Sequence, residues 1–348
     1  MSDPPVRYWT GSYSRPGAGG IGLLTIDSEG HLAWERRAGT AEDPSYLLAP
    51  ASRPGMCYAV DEGASGVVAF SVRSEGRLER LAVASTAGTS PCHLSVVAGG
   101  AVLLAACYAD GVVSAHQLDE RGIPSEGVAL PAPPPADNGP HAAQNGPHAH
   151  ATLEVADSVY VTDLGTDRLQ EYRYRNGAFD AVASIALPPG AGPRDLVWHR
   201  TGLLLVLGEH DCRVHVIDPG ERRVIASVPL TRALHSPGQA AGLTLRGDRL
   251  YSGLRGSDRI AVLTVGGDGI PSPLMTAPSG GHWPRHHVVH GGLLHVANER
   301  SGTVTSFRLD DEGLPRPTGA PTPVPTPTFL LRVPEPSVLS AELASSRA

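Results

Sequence analysis

Gly192-Pro193-Arg194-Asp195-Leu196, followed by Leu205-Val206-Leu207-Gly208-Glu209-His210-Asp211-Cys212-Arg213-Val214, decides how the chain is read. A proline-led unit comes first, then an apolar run, a polar turn and an alternating run. The first unit recurs as Pro44-Ser45-Tyr46-Leu47, Pro91-Cys92-His93-Leu94, Pro147-His148-Ala149-His150, Ala240-Ala241-Gly242-Leu243, Pro284-Arg285-His286-His287 and Pro327-Thr328-Phe329-Leu330. Successive starts lie 47, 56, 46, 47, 44 and 43 residues apart. The long step holds an insertion rich in proline and glycine, around residues 132–146. The second unit follows the first six starts, for instance as Val159-Tyr160-Val161-Thr162-Asp163-Leu164-Gly165-Thr166-Asp167-Arg168-Leu169. Gly-Thr-Asp is hairpin-turn chemistry, and the flanking runs alternate like half-buried strands.

A period of about 45 residues carrying several short antiparallel strands is the size of a propeller blade. Seven starts predict an all-β fold, a seven-bladed β-propeller. An open stack would need capping repeats and would expose strand edges, which a closed ring avoids. The last copy lacks its own hairpin, while Tyr8-Trp9-Thr10-Gly11 and Ile21-Gly22-Leu23-Leu24-Thr25 stand near the start. Both chain ends are therefore expected to share one blade. The repeat predicts a single domain, residues 1–333, and a disordered tail, residues 334–348, where 348 residues alone would suggest about two domains.

Composition narrows the chemistry. No lysine occurs, so all 28 basic residues are arginines, which excludes a Schiff-base lysine and a Walker-type phosphate loop. A net charge of −7 argues against nucleic-acid and anionic-membrane partners. No apolar run is long enough to span a membrane, and the N-terminus does not read as a secretory signal. Cys57, Cys92, Cys107 and Cys212 fit neither a zinc pattern nor a disulfide framework, so reduced thiols in a cytoplasmic protein are expected. A monomer or homodimer acting on a small anionic molecule, without metal or other cofactor, is the expectation.

Equivalent positions of all blades lie on one circle around the axis. The residue after each proline forms one column: Ser45, Cys92, His148, Arg194, Ala241, Arg285 and Thr328. The residue before each hairpin turn forms a second: Glu62, Tyr108, Leu164, Glu209, Arg255 and Glu299. Both columns should face one end of the channel. Arginines there can bind a carboxylate or phosphate, and a histidine with a glutamate can move protons. Salt bridges between blades would be the purely structural alternative. His93, in a third column with Tyr46, Asp195 and His286, suits hydrogen bonding between blades. His148 and His150, with His141 and His287, make a metal site conceivable, but no carboxylate or cysteine has matching spacing. Cys92 as a nucleophile lacks any signature. The insertion before His148 could cover the channel mouth or be an ordinary surface loop.

Gly146-Pro147-His148-Ala149-His150, Gly192-Pro193-Arg194-Asp195-Leu196, Trp283-Pro284-Arg285 and Val296-Ala297-Asn298 together resemble the seven-bladed propeller lactonase family, from Val6 to Val333. That family includes propeller-type 6-phosphogluconolactonases and the carboxy-muconate lactonising cyclase. The resemblance implies an active site of His148, Arg194, Glu209 and Arg255. His148, Glu209 and Arg255 are then the expected catalytic residues, with Arg194, Arg285, His93, Glu299 and Tyr108 binding substrate. A hydrolase opening an anionic sugar lactone is expected. A cyclase closing an unsaturated acid and a non-catalytic binding propeller are the alternatives. Ala240-Ala241-Gly242-Leu243 and Gly208-Glu209 depart from the family pattern and bear on substrate shape.

Overall fold

The computed structural model describes residues 6–13, 20–27, 30–232 and 238–334. Its strands form seven antiparallel sheets. The innermost strands are Leu47–Leu48, Pro91–Val97, Ala149–Val155, Pro193–Trp198, Gly238–Arg246, Pro284–His290 and Pro327–Arg332, which number blades 1 to 7. Each inner strand touches the next, and the seventh touches the first. The chain is a seven-bladed β-propeller. Of the expected tail only Pro334 is described; residues 335–348 lie outside the described residues.

Blade 7 joins the two ends of the chain. Pro327–Arg332 pairs with Arg7–Ser12, which continues into Ile21–Ile26 and Leu32–Gly39. Tyr8 faces Arg332, Trp9 faces Leu331 and Thr10 faces Leu330. Trp9 is fully buried, and its indole N–H donates to the Gly76 carbonyl of blade 1 at 2.7 Å. The seam is thus held by a backbone ladder and by packing against the first blade.

The apolar core fills the gaps between blades. Seven clusters occupy the seven blade–blade contacts, such as Val206 and Leu204 of blade 4 against Leu169 and Ile185 of blade 3. Second strands are packed on both faces, so Leu204–Gly208 and Val102–Cys107 are buried throughout. The outermost Arg223–Pro229 is partly exposed along its length. Because the apolar material lies between blades, the axis is left for polar side chains.

The turns position that axial set. Asp167 and Asp258 lead into third strands with φ of 54 and 55°, a left-handed conformation that Asp tolerates. Their carboxylates then reach the next blade. Asp167 accepts hydrogen bonds from the Gly190 and Gly192 N–H groups, both at 2.7 Å, just ahead of Pro193-Arg194. Asp258 accepts from Trp283 N–H at 2.8 Å, just ahead of Pro284-Arg285. Both inner strands that carry an arginine at their second residue are fixed at their entry in this way.

Candidate active site

Near its start, an inner strand carries an irregularity. Its ladder to the second strand steps from Pro91 to His93, Ala149 to Ala151, Pro193 to Asp195, Ala241 to Leu243 and Pro284 to His286. In blade 7 Phe329 and Pro327 are paired and Thr328 is skipped. Such a bulge re-aims the extra residue. The skipped residues Cys92, His150, Arg194, Gly242, Arg285 and Thr328, with Ser45 of blade 1, all line one axial cavity of about 570 Å³. Two column assignments are corrected by this register. The imidazole of the ring is His150, because Ala149 rather than Pro147 takes the place of the proline in blade 3. In blade 5 Gly242, not Ala241, is the bulged residue, and Arg255 lies one step beyond the second column.

Arg255 nevertheless reaches the site. Arg194 Nη1 donates to Glu209 Oε2 at 2.6 Å, and Arg255 Nη2 approaches the same oxygen at 2.8 Å. Arg255 Nη2 also donates to the Ala240 carbonyl at 3.0 Å. All three side chains are buried, and the Arg255 Nε–H has no partner among the described residues. Burial alone would raise the Glu209 carboxyl, but Arg194 and Arg255 outweigh it and hold the group at about 2. Arg255 itself is drawn down to about 10, by burial first and by the Arg194 charge second. Two guanidinium groups against one carboxylate leave one positive charge uncompensated.

A second cluster spans blades 6, 7 and 1. Arg285 Nη1 donates to Glu299 at 3.1 Å and Nη2 to the Tyr13 hydroxyl oxygen at 2.6 Å. The guanidinium also lies 4.9 Å from the Tyr13 ring centroid. Tyr13 O–H donates to Glu62 Oε1 at 3.4 Å, and Ser45 Oγ–H donates to Glu62 Oε2. Here burial raises the Glu62 carboxyl, and the lowering effects of Ser45, Arg285 and Tyr13 do not cancel it.

The family model "Lactonase, 7-bladed beta-propeller" matches residues 7–332. The chain belongs to this lactonase family. It is 30% identical over 338 residues to a 6-phosphogluconolactonase of Bacillus subtilis, covering 91% of this chain and 96% of that protein. A solved protein of Lactobacillus plantarum superposes with a TM-score of 0.87 at 21% identity, covering 95% of this chain and all of the other. The periplasmic gluconolactonase of Pseudomonas aeruginosa gives 0.86 at 23% identity over 95% of this chain and 99% of its own. At those identities the two structures speak for the fold. Family membership and the Bacillus relative support the expectation of a lactonase enzyme.

The surroundings of the expected site residues in this lactonase differ from one another. Glu209, held at about 2 by its two arginines, is ionised near neutrality and sits as their counter-ion. His148 faces other partners. Its Nδ1–H donates to the Tyr108 carbonyl at 2.6 Å, and Nε2 lies 3.0 Å from Asn145 Oδ1. Its ring stacks on Tyr108 with centroids 4.5 Å apart. The Tyr108 hydroxyl is raised by burial first and then by Glu209, against Arg194 and Arg255, so this residue feels the arginine cluster directly. His148 supports that tyrosine, and among the described residues no hydrogen bond or ion pair joins it to Glu209. His93 is kept neutral, at about 3, by burial; its Nδ1 accepts from Thr152 N–H at 3.4 Å and ties blade 2 to blade 3. With Tyr46, Phe329 and His286 it forms an aromatic layer just below the bulged ring.

Cys92 is buried, and burial pushes its thiol up, away from the thiolate a nucleophile needs. Among the described residues no group of three His, Cys, Asp or Glu side chains is arranged to hold a metal ion. The insertion is fastened down. Gln144 Nε2 donates to the Leu164 carbonyl at 2.8 Å and to Asp167 at 2.7 Å, and His141 stacks on His210 at 3.9 Å. The stack brings it next to His210, the chain neighbour of Glu209. Tyr13 is the site residue that the sequence does not single out, and His150 stands there only as a conceivable metal ligand, not as a member of the ring. Tyr13 sits at the seam, where no repeat aligns it, and the duplicated Pro-His-Ala of blade 3 hid His150.

Proposed function

We propose that this chain hydrolyses an anionic lactone of the 6-phosphogluconolactone class at the axial cavity, with Arg194 and Arg255 holding the anionic group. The shared carboxylate carries this reading. Glu209 neutralises only one of two buried guanidinium charges, and Arg255 Nε–H lacks an acceptor. A phosphate or carboxylate supplies both needs, and hydrogen bonds to charged groups contribute about 1.5–3 kcal/mol each. A propeller that only binds protein would be favoured by fully neutralised arginines, which this cluster lacks. Arg285 lines the same cavity and offers positive charge where the carbonyl oxygen gains a negative one during attack by water. His148 acts by holding Tyr108 against the arginines. A cytoplasmic location, where buried Cys57, Cys92, Cys107 and Cys212 remain thiols, belongs to the same proposal.

The test is hydrolysis of 6-phosphogluconolactone and of uncharged gluconolactone by the purified protein, followed as acid release. The phosphorylated lactone should be preferred by at least about tenfold in kcat/KM, and Arg194→Ala should erase the preference. Rates equal to those without protein for both lactones would overturn the reading. Unsaturated acids in the same assay check the ring-closing direction.

A further inference from the structure

Three carboxylates directly follow second strands, Glu62 in blade 1, Glu209 in blade 4 and Glu299 in blade 6, and their partners differ. Glu209 is clamped by two arginines, and Glu299 is paired with Arg285 at 3.1 Å. Glu62 has no ion pair within 4.0 Å among the described residues. Its two oxygens accept instead from two neutral hydroxyl groups, Tyr13 O–H on Oε1 and Ser45 O–H on Oε2. Of these two donors Ser45 lies in the cavity wall, one of the seven bulged or equivalent positions. Blade 1 lies across the ring from blades 4 and 5, which carry the arginine cluster.

We propose that Ser45 and Glu62 form the proton relay for lactone opening, with Ser45 Oγ facing the reacting atoms and Glu62 acting through it. The inference rests on the lactonase reading above and assigns the proton transfers to a carboxylate free of ion pairs within 4.0 Å among the described residues, rather than to Glu209, which two arginines clamp. An attacking water adds its oxygen lone pair to the lactone carbonyl carbon, and the carbonyl π pair moves to oxygen beside Arg285. The water proton passes to Ser45 Oγ while the Ser45 proton passes to the Glu62 carboxylate. The tetrahedral intermediate then collapses. The ring C–O bond breaks, its electron pair stays on the ring oxygen, and the proton returns from Glu62 through Ser45 to that oxygen. The product acid ionises to solvent, so the relay ends as it began.

The geometry also explains why Glu62 is suited to both halves. It must be ionised to accept and basic enough to hold the proton briefly. Burial raises it, with Asp43 adding to the rise, while Ser45, Arg285 and Tyr13 pull the other way. Among the described residues Cys92 and Glu299 are further ionisable groups at this corner. Both of those are acidic groups, so neither favours the ionised form of Glu62. Arg285, already shared between Glu299 and Tyr13, is the cation acting on Glu62 among the described residues.

The experiment is the pH profile of kcat/KM and kcat on the lactone the wild type prefers, with Glu62→Gln, Glu62→Asp, Ser45→Ala and Ser45→Thr. Thermal melting checks that each is folded. Wild type should lose activity as pH falls, with a midpoint higher than that of an ordinary glutamate. Glu62→Gln should lower kcat by about 100-fold or more and flatten that limb, while KM changes little because the anion site is across the channel. Ser45→Ala should do the same. Ser45→Thr and Glu62→Asp should restore part of the rate, Glu62→Asp with a displaced limb. Folded Glu62→Gln or Ser45→Ala retaining a third of wild-type kcat and the same acid limb would overturn the relay and leave the lactonase reading standing. If Glu62→Gln does not fold, Ser45→Ala alone decides by the same criterion. A wild type inactive on every lactone would overturn the lactonase reading and the relay with it.

Discussion

The two sides of the channel mouth are built from the same residue types and behave oppositely. On blades 4 and 5 two arginines share one carboxylate, Glu209, which is held at about 2. Across blades 6, 7 and 1 one arginine, Arg285, sits among Glu299, Tyr13 and Glu62, and the Glu62 carboxyl is raised. Burial pushes both carboxyls the same way. What differs is the number of cations within reach, and this decides which carboxyl is a counter-ion and which can exchange a proton. Counting arginines and glutamates at the mouth would miss the distinction.

The largest effect expected from breaking this contrast is on the arginine-rich side. Glu209→Gln would leave two buried guanidinium groups facing each other, at a cost of about 3–5 kcal/mol measured by urea unfolding. The same clamp makes stability pH-dependent. The Glu209 pKa is depressed on folding, so its contribution is complete above the unfolded value near 4.5 and lost as pH falls through about 2. A shift of that size amounts to about 3 kcal/mol, visible as a steep decline of wild-type stability between those pH values and a shallower one in Glu209→Gln. A variant whose urea midpoint matches wild type would show that the shared carboxylate matters little.

Next comes Arg255→Ala, which removes the guanidinium with the free Nε–H. It should lower kcat/KM for a phosphorylated lactone by about 10–100-fold and for an uncharged one by much less. Equal losses on both substrates would remove the anion site from this side. Glu299→Gln sharpens the contrast from the other side. It takes an acidic group away from Glu62 and frees Arg285 to act on it, so the acid limb of the kcat/KM profile should move to lower pH. Movement to higher pH would contradict the assignment of that limb to Glu62. The smallest effect belongs to Tyr13→Phe. It removes one hydroxyl donor from the ionised Glu62, costs roughly 1 kcal/mol of stability and shifts the same limb slightly upward. Wild-type and Tyr13→Phe profiles that superpose would place Tyr13 outside the network.

Much of the fold is legible in the chain because each blade repeats the same local decisions. A strand entry led by proline in every blade but the fifth, a doubly buried apolar run and a left-handed turn residue, Ser65, Gly111, Asp167, Cys212, Asp258 and Gly302 in blades 1 to 6, recur every 43 to 47 residues apart from the one long step. The columns placed Arg194, Glu209, Arg285, Glu299, Ser45 and Glu62 near one mouth. They failed where the local pattern and the ladder disagree. Pro147 looks like the other prolines, yet Ala149 pairs with Asp163, and the imidazole on the circle is therefore His150. Blade 5 begins without a proline, and its longer ladder moves Arg255 by one residue, a displacement the long arginine side chain absorbs.

The sequence by itself determined the seven blades, the shared closing blade and the gathering of arginines and carboxylates at one end of the axis, because these follow from hydrophobic period and turn chemistry, which act over a few residues. Only the tertiary structure decided which residue each bulge turns into the cavity and which carboxylate meets two cations rather than one. Those outcomes depend on ångström-scale distances between blades and on burial, and no spacing along the chain encodes either.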